Sequence, residues 1–459
     1  MSTSITKRKF ILIWLGVLQI FVLGIIMTVK EGISYRNIAM IAIIQCISNI
    51  ALLNTVISTP VICLPNMFSV FSLFFHCGQI IKEGFKIQGT VPLPFQYYAD
   101  KDTILSACFF YLLSQSAYFI GLASVSGEMD FVVPDRWENI NKIDFRQYGK
   151  VLLLLGIVPR LYIDVLSLLG ALSQGYKGVY SLYFPQMIQS MAFFFDAGII
   201  LYLLGTKDKR KSRAILVAVL FYKCLMMTTG ARQEKVAYLL VVFYLYFFVC
   251  NNITVKKILI LAAGCVAGFA FVSAIGTVRT TDTSGFMGVL EFMRSGQMTD
   301  VFGSALGEFG SALDTLEVAV AYTPDYISYG YGRSYIAGAL SVVPLLVNQM
   351  PLLSKTTIFV HQLPGSVYFA LGGSYLGELF YNFSWLGILG CVAVGRLMGK
   401  LDRGVQLSNH GNTLYAAWCA VISTAMILFV RGYFTDMIQK LVWTYLVINI
   451  VYSFAKRRI

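Results

Sequence analysis

From Phe10 to Val29 the chain runs for 20 residues without a formal charge, and apolar stretches of similar length recur all the way to its end. A helix rising about 1.5 Å per residue crosses a hydrocarbon core of roughly 30 Å in about 20 residues, so each such stretch reads as a membrane-spanning helix. The rest of the composition agrees. Only 13% of the 459 residues are charged and 57% are hydrophobic, with a mean hydropathy of +0.70, whereas soluble domains carry roughly 25% charged residues. Lys7, Arg8 and Lys9 precede the first stretch as in a signal peptide. The stretch is longer than a signal-peptide core and no small-residue cleavage site follows, so it is expected to stay as a signal-anchor helix.

Apolar runs punctuated by charge, Pro and Gly place spans near 10–29, 37–57, 61–81, 103–124, 148–170, 187–204, 214–228, 236–250, 258–277, 372–394, 413–430 and 438–455. With the N-terminus inside, the cytoplasmic connections collect Arg136, Lys142 and Arg146, then Lys207 to Arg213, then Lys256 and Lys257, then Arg396, Lys400 and Arg403, and the tail ends in Lys456, Arg457 and Arg458. The outer connections are poorer in Lys and Arg, so twelve spans with both termini inside satisfy the positive-inside rule. The net charge of +13 therefore encodes orientation, and no nucleic-acid partner is expected. The nine cysteines lie in or at the end of apolar segments and form no CxxC pair, which points away from disulfides and zinc. The expected fold is an all-α polytopic membrane protein, residues 1–459 forming one membrane domain. Its one long outer connection, residues 279–371, falls between spans nine and ten. The run from Ile336 to Val347 inside that connection is too short to span, and is expected to re-enter the membrane or lie along its surface.

Ionisable groups at membrane depth cost about 2.5–3.5 kcal/mol or more, so they face a cavity or a partner. Arg160 and Asp164 stand one helical turn apart in the fifth span and are placed to pair. An internal ion pair that fixes packing and a substrate-facing role both stay open for them. For Asp196 and Lys223, in the next two spans, structural pairing is the simpler reading. On the span map Arg232, Arg279 and Arg431 all emerge on the outer face. Guanidinium groups pair bidentately with phosphate oxygens and stay charged, so several on one face make a pyrophosphate site, although any one of them read alone is an interfacial arginine reaching the headgroups. Tyrosines among glycines in Tyr329-Gly330-Tyr331-Gly332-Arg333-Ser334-Tyr335, together with Tyr375 and Tyr381 beside Asn382, offer flat faces and hydroxyls suited to sugar rings; an interfacial aromatic belt is the alternative. Glu378 sits in an otherwise apolar span and His361 in an expected loop before Pro364. Either suits a general base, the glutamate if desolvated and the histidine because it titrates near neutrality.

Three stretches, Thr229-Gly230-Ala231-Arg232, then Gly330-Tyr331-Gly332-Arg333-Ser334-Tyr335 with Val342-Val343-Pro344, then Gly372-Gly373-Ser374-Tyr375-Leu376-Gly377-Glu378-Leu379-Phe380-Tyr381-Asn382-Phe383, resemble the O-antigen polysaccharide polymerases. The likeness extends to topology over nearly the whole chain. It implies a membrane architecture of the glycosyltransferase C kind, with short helices in the outer loop. It also implies a metal-independent, cofactor-free glycosyltransferase that moves a growing chain from undecaprenyl pyrophosphate onto the next lipid-linked repeat unit, at the outer face of the bacterial cytoplasmic (inner) membrane. In that scheme Arg232, Arg279 and Arg431 meet the pyrophosphates with Arg333 as a fourth, Arg160 and the tyrosines contact substrate, and Glu378 or His361 takes the acceptor proton. The partners implied are the lipid-linked oligosaccharides, membrane lipid, and a chain-length regulator and flippase. No DxD-like acidic pair occurs in the outer loop, in keeping with arginine in place of a bound cation. A flippase is the competing class, but it should show short, even loops and an internal repeat, neither of which is seen. A ligase that moves finished glycan to another acceptor is closer in mechanism, and the sequence separates it poorly.

Overall fold

The computed structural model describes residues 2–57, 59–89, 94–125, 145–182, 184–206, 208–229, 233–246, 301–343, 356–368, 371–406 and 413–456. Among the described residues there is no strand. The helices are α1 (Ser2–Thr28), α2 (Tyr35–Ile57), α3 (Leu64–Gly84), α4 (Lys101–Val125), α5 (Phe145–Tyr180), α6 (Gln186–Leu204), α7 (Lys209–Met227), α8 (Gln233–Tyr244), α9 (Val301–Phe309), α10 (Ala312–Tyr322), α11 (Arg333–Leu340), α12 (Tyr375–Phe383), α13 (Ile388–Gln406), α14 (Thr413–Phe429) and α15 (Phe434–Lys456), with short turns between some of them.

Seven helices among the described residues are long and apolar enough to cross a membrane: Thr6–Thr28, Tyr35–Ile57, Leu64–Gly84, Lys101–Val125, Arg146–Ser173, Tyr375–Gln406 (α12 and α13 read through the turn Ser384–Gly387) and Phe434–Phe454. Helices also occupy the stretches expected at 187–204, 214–228, 236–250 and 413–430, as α6, α7, α8 and α14, of which α6 and α14 hold the shorter apolar runs Met191–Leu204 and Tyr415–Phe429. Residues 247–250 and the span expected at 258–277 lie outside the described residues.

The chain packs into two compact units. The first comprises Met1–Phe131, Leu306–Asp402 and Ala425–Lys440. Its centre is α4, whose spanning window is 89% buried against 17% for α1. Helix α1 turns Phe10, Trp14 and Phe21 outward, a surface that suits lipid and not water. Close contact between α4 and α13 depends on missing side chains: a Cβ on Gly121 would sit 2.1 Å from the Val392 carbonyl oxygen, and one on Gly395 the same 2.1 Å from that of Tyr118. Small residues let membrane helices approach in this way. Helix α10, from the connection expected to be an outer loop, packs on α3, α4 and α12 as part of this unit's interior.

The second unit comprises Val132–Ala305, Arg403–Thr424 and Leu441–Ile459. Its largest pairing is α5 against α6, where a Cβ on Gly156 would meet the Phe195 nitrogen at 2.2 Å. The opposite face of α5 leaves Leu154, Val158 and Leu172 exposed, again a lipid-facing row.

Candidate functional site

The first unit brings together three of the segments singled out in the sequence. Helix α12 starts at Ser374, whose extended backbone and hydroxyl cap the helix by accepting the Gly377 N–H at 3.1 Å. One turn in, Glu378 is fully buried. Its carboxylate accepts the Ser334 hydroxyl at 2.5 Å and the Phe434 backbone N–H at 2.6 Å. Asn382, one turn further and also fully buried, donates to Ser334 Oγ at 2.8 Å and accepts the Gly332 N–H at 2.9 Å.

The glycines of Gly-Tyr-Gly-Arg-Ser explain themselves in this contact. Gly332 has φ +85°, the left-handed region that an L side chain resists. A Cβ on Gly330 would strike the Tyr381 ring at 2.5 Å and Asn382 Oδ1 at 2.6 Å. The loop can therefore lie on the end of α12, where Gly330 N–H donates to the Tyr381 carbonyl at 2.9 Å and Tyr331 N–H to that of Asn382 at 3.1 Å. Arg333, at the start of α11, is exposed, as is Tyr331. Tyr335 stacks on Phe383 with centroids 5.9 Å apart and meets Phe434 edge-on at 5.0 Å.

Arg431 enters the same unit beside the Gly372-Gly373 pair. A Cβ on Gly372 would lie 3.2 Å from the Arg431 Nε, and the guanidinium stands over the Phe75 ring at 5.8 Å. The Gly372 carbonyl accepts Thr315 Oγ1 at 2.8 Å and the Tyr433 hydroxyl at 3.2 Å, which ties α10, the glycine pair and Arg-Gly-Tyr to one point.

Helix α10 adds two carboxyls that the sequence reading passed over. Asp314 is partly exposed and accepts Gln79 Nε2 at 3.2 Å. Glu317 is only 2% exposed, and its Oε1 has no hydrogen-bond partner. Burial lifts the Asp314 carboxyl to about 7, with the Gln79 hydrogen bond and the Arg431 charge pulling the other way. Burial and then the Asp314 charge push Glu317 well above the usual carboxylate range. The signal available in the sequence was the pattern Ala312-Leu313-Asp314-Thr315-Leu316-Glu317-Val318, two acids three apart in a run otherwise almost free of charge.

The other expected residues fall as follows. His361 lies exposed in a short turn, Phe359–Gln362, and partial burial lowers its imidazole below the ordinary value. Neighbouring Gln362 donates to the Tyr381 hydroxyl at 3.0 Å, while the Tyr381 ring stacks on Phe359 at 5.0 Å. Tyr375 is fully buried, its hydroxyl 3.5 Å from both Ser72 Oγ and Gln115 Nε2. Beside it His76, also buried, spans Ser72 O at 3.2 Å and Ser374 Oγ at 3.0 Å. A carbonyl only accepts, so Nδ1 carries the proton and Nε2 receives the Ser374 hydroxyl. Arg232, Arg279 and residues 344–347 lie outside the described residues.

Arg160 belongs to the second unit. Its Nε donates to Asp164 at 2.9 Å and to the Tyr222 hydroxyl at 3.1 Å, and its NH1 lies 3.7 Å from Asp196. Asp196 also accepts Lys223 Nζ at 2.6 Å, and Tyr222 donates to Asp164. Asp196 and Lys223, for which structural pairing was the simpler reading, thus pair with each other, and two cations face two anions.

No curated protein and no solved structure matches the chain significantly. The family model of the O-antigen polysaccharide polymerase Wzy matches residues 10–459, so the chain belongs to that family of glycosyltransferase-like membrane polymerases.

Proposed function

We propose that the protein joins undecaprenyl-pyrophosphate-linked oligosaccharide repeat units into a surface polysaccharide at the outer face of the bacterial cytoplasmic membrane. Arg431 and Arg333, with Arg232 and Arg279, hold the pyrophosphates without a metal ion. The seven long helices together with α6, α7, α8, α14 and the stretch 258–277 make twelve spans of one membrane domain, with both termini cytoplasmic and the connection 279–371 on the outer side. Chain-length regulator and flippase proteins are the expected partners.

The observation that carries this reading is the buried carboxylate of Glu378. It binds Ser334 of one arginine-bearing segment and Phe434 of the other, and so fixes Gly-Tyr-Gly-Arg-Ser and Arg-Gly-Tyr against a single helix. Arginine's planar fork suits phosphate oxygens, and positive charge held where the leaving group develops negative charge lowers the barrier. With both oxygens occupied and no exposed surface, Glu378 is a positioning residue in this scheme. Arg160, engaged by Asp164, Asp196 and Tyr222, is a packing residue in this scheme.

The test is deletion of the gene followed by examination of the surface glycan and of the lipid-linked intermediates. A product of one repeat unit, with lipid-linked units still displayed outside, supports polymerisation. Units trapped inside would make the protein a flippase. Full-length polymer that fails only to reach its final acceptor would make it a ligase.

A further inference from the structure

The polymerase reading leaves one chemical task without a residue that fits it well, the removal of the acceptor hydroxyl proton. A base for that step must reach substrate and must hold its proton neither too tightly nor too loosely at working pH. Glu378 fails the first condition, because it is fully buried with both oxygens engaged. Helix α10 meets it. Asp314 is partly exposed at the point where α10, the Gly372-Gly373 pair and Arg431 meet, since its neighbour Thr315 holds the Gly372 carbonyl that borders the Arg431 guanidinium.

The groups around Asp314 divide the work. From α3 comes Gln79, which is neutral and donates to Asp314 Oδ2 at 3.2 Å. From the segment before α4 comes Tyr98, whose hydroxyl is buried without a hydrogen-bond partner and which is coupled to the Asp314 charge. From α12 comes Gly377, which brings no charge and allows the close approach to Thr315. Arg431 is the cation that acts on Asp314. One turn deeper Glu317, near Tyr35 and Cys108, has a buried oxygen that no protein donor reaches, which an ionised carboxylate in such a place would not tolerate. Glu317 thus keeps its proton and leaves Asp314 to titrate alone. Environments that drive two neighbouring carboxyls apart in this way assign them different roles.

We propose that Asp314 is the general base of polymerisation, receiving the proton of the acceptor sugar hydroxyl while Arg431 holds the donor pyrophosphate beside it. This rests on the polymerase reading. As the acceptor oxygen forms its bond to the donor anomeric carbon, the bond from that carbon to the phosphate oxygen breaks. Its electron pair leaves with the polyprenyl pyrophosphate, and the hydroxyl proton passes to the Asp314 carboxylate. Engagement of Arg431 by the pyrophosphate weakens the charge attraction that favours ionised Asp314, leaving the Gln79 hydrogen bond, so the base strengthens when the donor is seated.

The experiment uses the full chain in liposomes, supplied with lipid-linked repeat units extracted from a host lacking the gene. Chain growth is followed from below pH 6 to above pH 8, and undecaprenyl pyrophosphate serves as the binding probe. D314N should lose about 10²–10⁴-fold in chain growth, the usual worth of a general base, while still binding the probe. Its residual rate should no longer fall on acidification, and D314E should recover part of the loss together with the acid limb. Chain growth by D314N at the wild-type rate, or an acid limb that survives in D314N and vanishes in H361Q, would overturn the assignment. Wild-type protein that binds the probe yet makes no polymer would instead overturn the polymerase reading itself.

Discussion

The carboxylate of Glu378 accepts the backbone N–H of Phe434 across 56 residues of sequence, at 2.6 Å. Phe434 follows Tyr433, and so the bond sets where Arg431 stands. The other carboxylate oxygen accepts Ser334, the residue after Arg333. A neutral amide presents one oxygen and one NH2 where two acceptors are needed. Glu378→Gln should therefore leave a donor facing a donor, at a cost of about 1–3 kcal/mol for the unsatisfied buried group. The expected result is membrane-inserted protein with a lowered unfolding temperature in detergent and no chain growth. Glu378→Gln protein that gives polymer of normal length would remove the residue from the mechanism.

Ser334→Ala tests the same network from its other end. Without the hydroxyl, Glu378 loses a donor and Asn382 Nδ2 loses its 2.8 Å acceptor. Residues sharing a network are not additive. The double variant Ser334→Ala with Glu378→Gln should thus be less destabilised than the sum of the two single changes, as measured by thermal unfolding. Strict additivity would mean that the two groups act separately.

Arg431 should not be replaceable by lysine. Its guanidinium lies over the Phe75 ring beside Gly372, and a planar fork that both stacks and binds bidentately has no equivalent in a point-charge ammonium. Arg431→Lys should weaken binding of undecaprenyl pyrophosphate by about tenfold or more, the factor that each 1.4 kcal/mol represents, and Arg333→Ala, whose side chain is exposed, should weaken it less. Equal affinities in wild type and Arg431→Lys would show that the arginine serves packing alone.

How far the sequence foretold these arrangements depends on the distance between partners. The long apolar runs fix the spanning helices because chain length and charge are local properties, and the spanning parts of α1 to α5 fall within a few residues of the expected bounds. The Arg160–Asp164 pair was visible for the same reason, one turn of one helix. Asp196 and Lys223, 27 positions apart, gave no such cue. Glu378 stood out as a charge in an apolar segment, but its partners at 334 and 434 could not be read from spacing. Asp314 and Glu317 were lost because α10 is short. Its surroundings of Gly, Ser and acidic residues suggested an outer connection, and only packing against α3, α4 and α12 buries Glu317 and withdraws much of Asp314 from solvent.

Stability should vary with pH through Asp314. Its folded value is about 7 against an ordinary 3.8, because burial disfavours the charged form. Between those values the native state retains a proton that the unfolded chain has released, so stability falls as pH rises through this window and levels off above it. Asp314→Asn has no proton to lose, and its unfolding midpoint should be flatter than that of wild type between about pH 4 and pH 7. The comparison is read from denaturation of both proteins in one detergent over that range, and superimposable pH profiles would show that Asp314 is ionised throughout.

The paired charges of the second unit make the last prediction. Arg160, Asp164, Asp196 and Lys223 balance one another, so removing one leaves an uncompensated buried charge, which costs about 3–5 kcal/mol, whereas removing a pair together does not. Asp196→Asn should lower yield and thermal stability sharply. Asp196→Asn combined with Lys223→Met should recover most of that loss, because the orphaned ammonium is gone and Arg160 keeps Asp164 at 2.9 Å. If chain growth then returns with stability, the network holds α5, α6 and α7 together and does not touch substrate. If stability returns while growth stays abolished, these charges belong to the substrate path, and the packing role given to Arg160 fails.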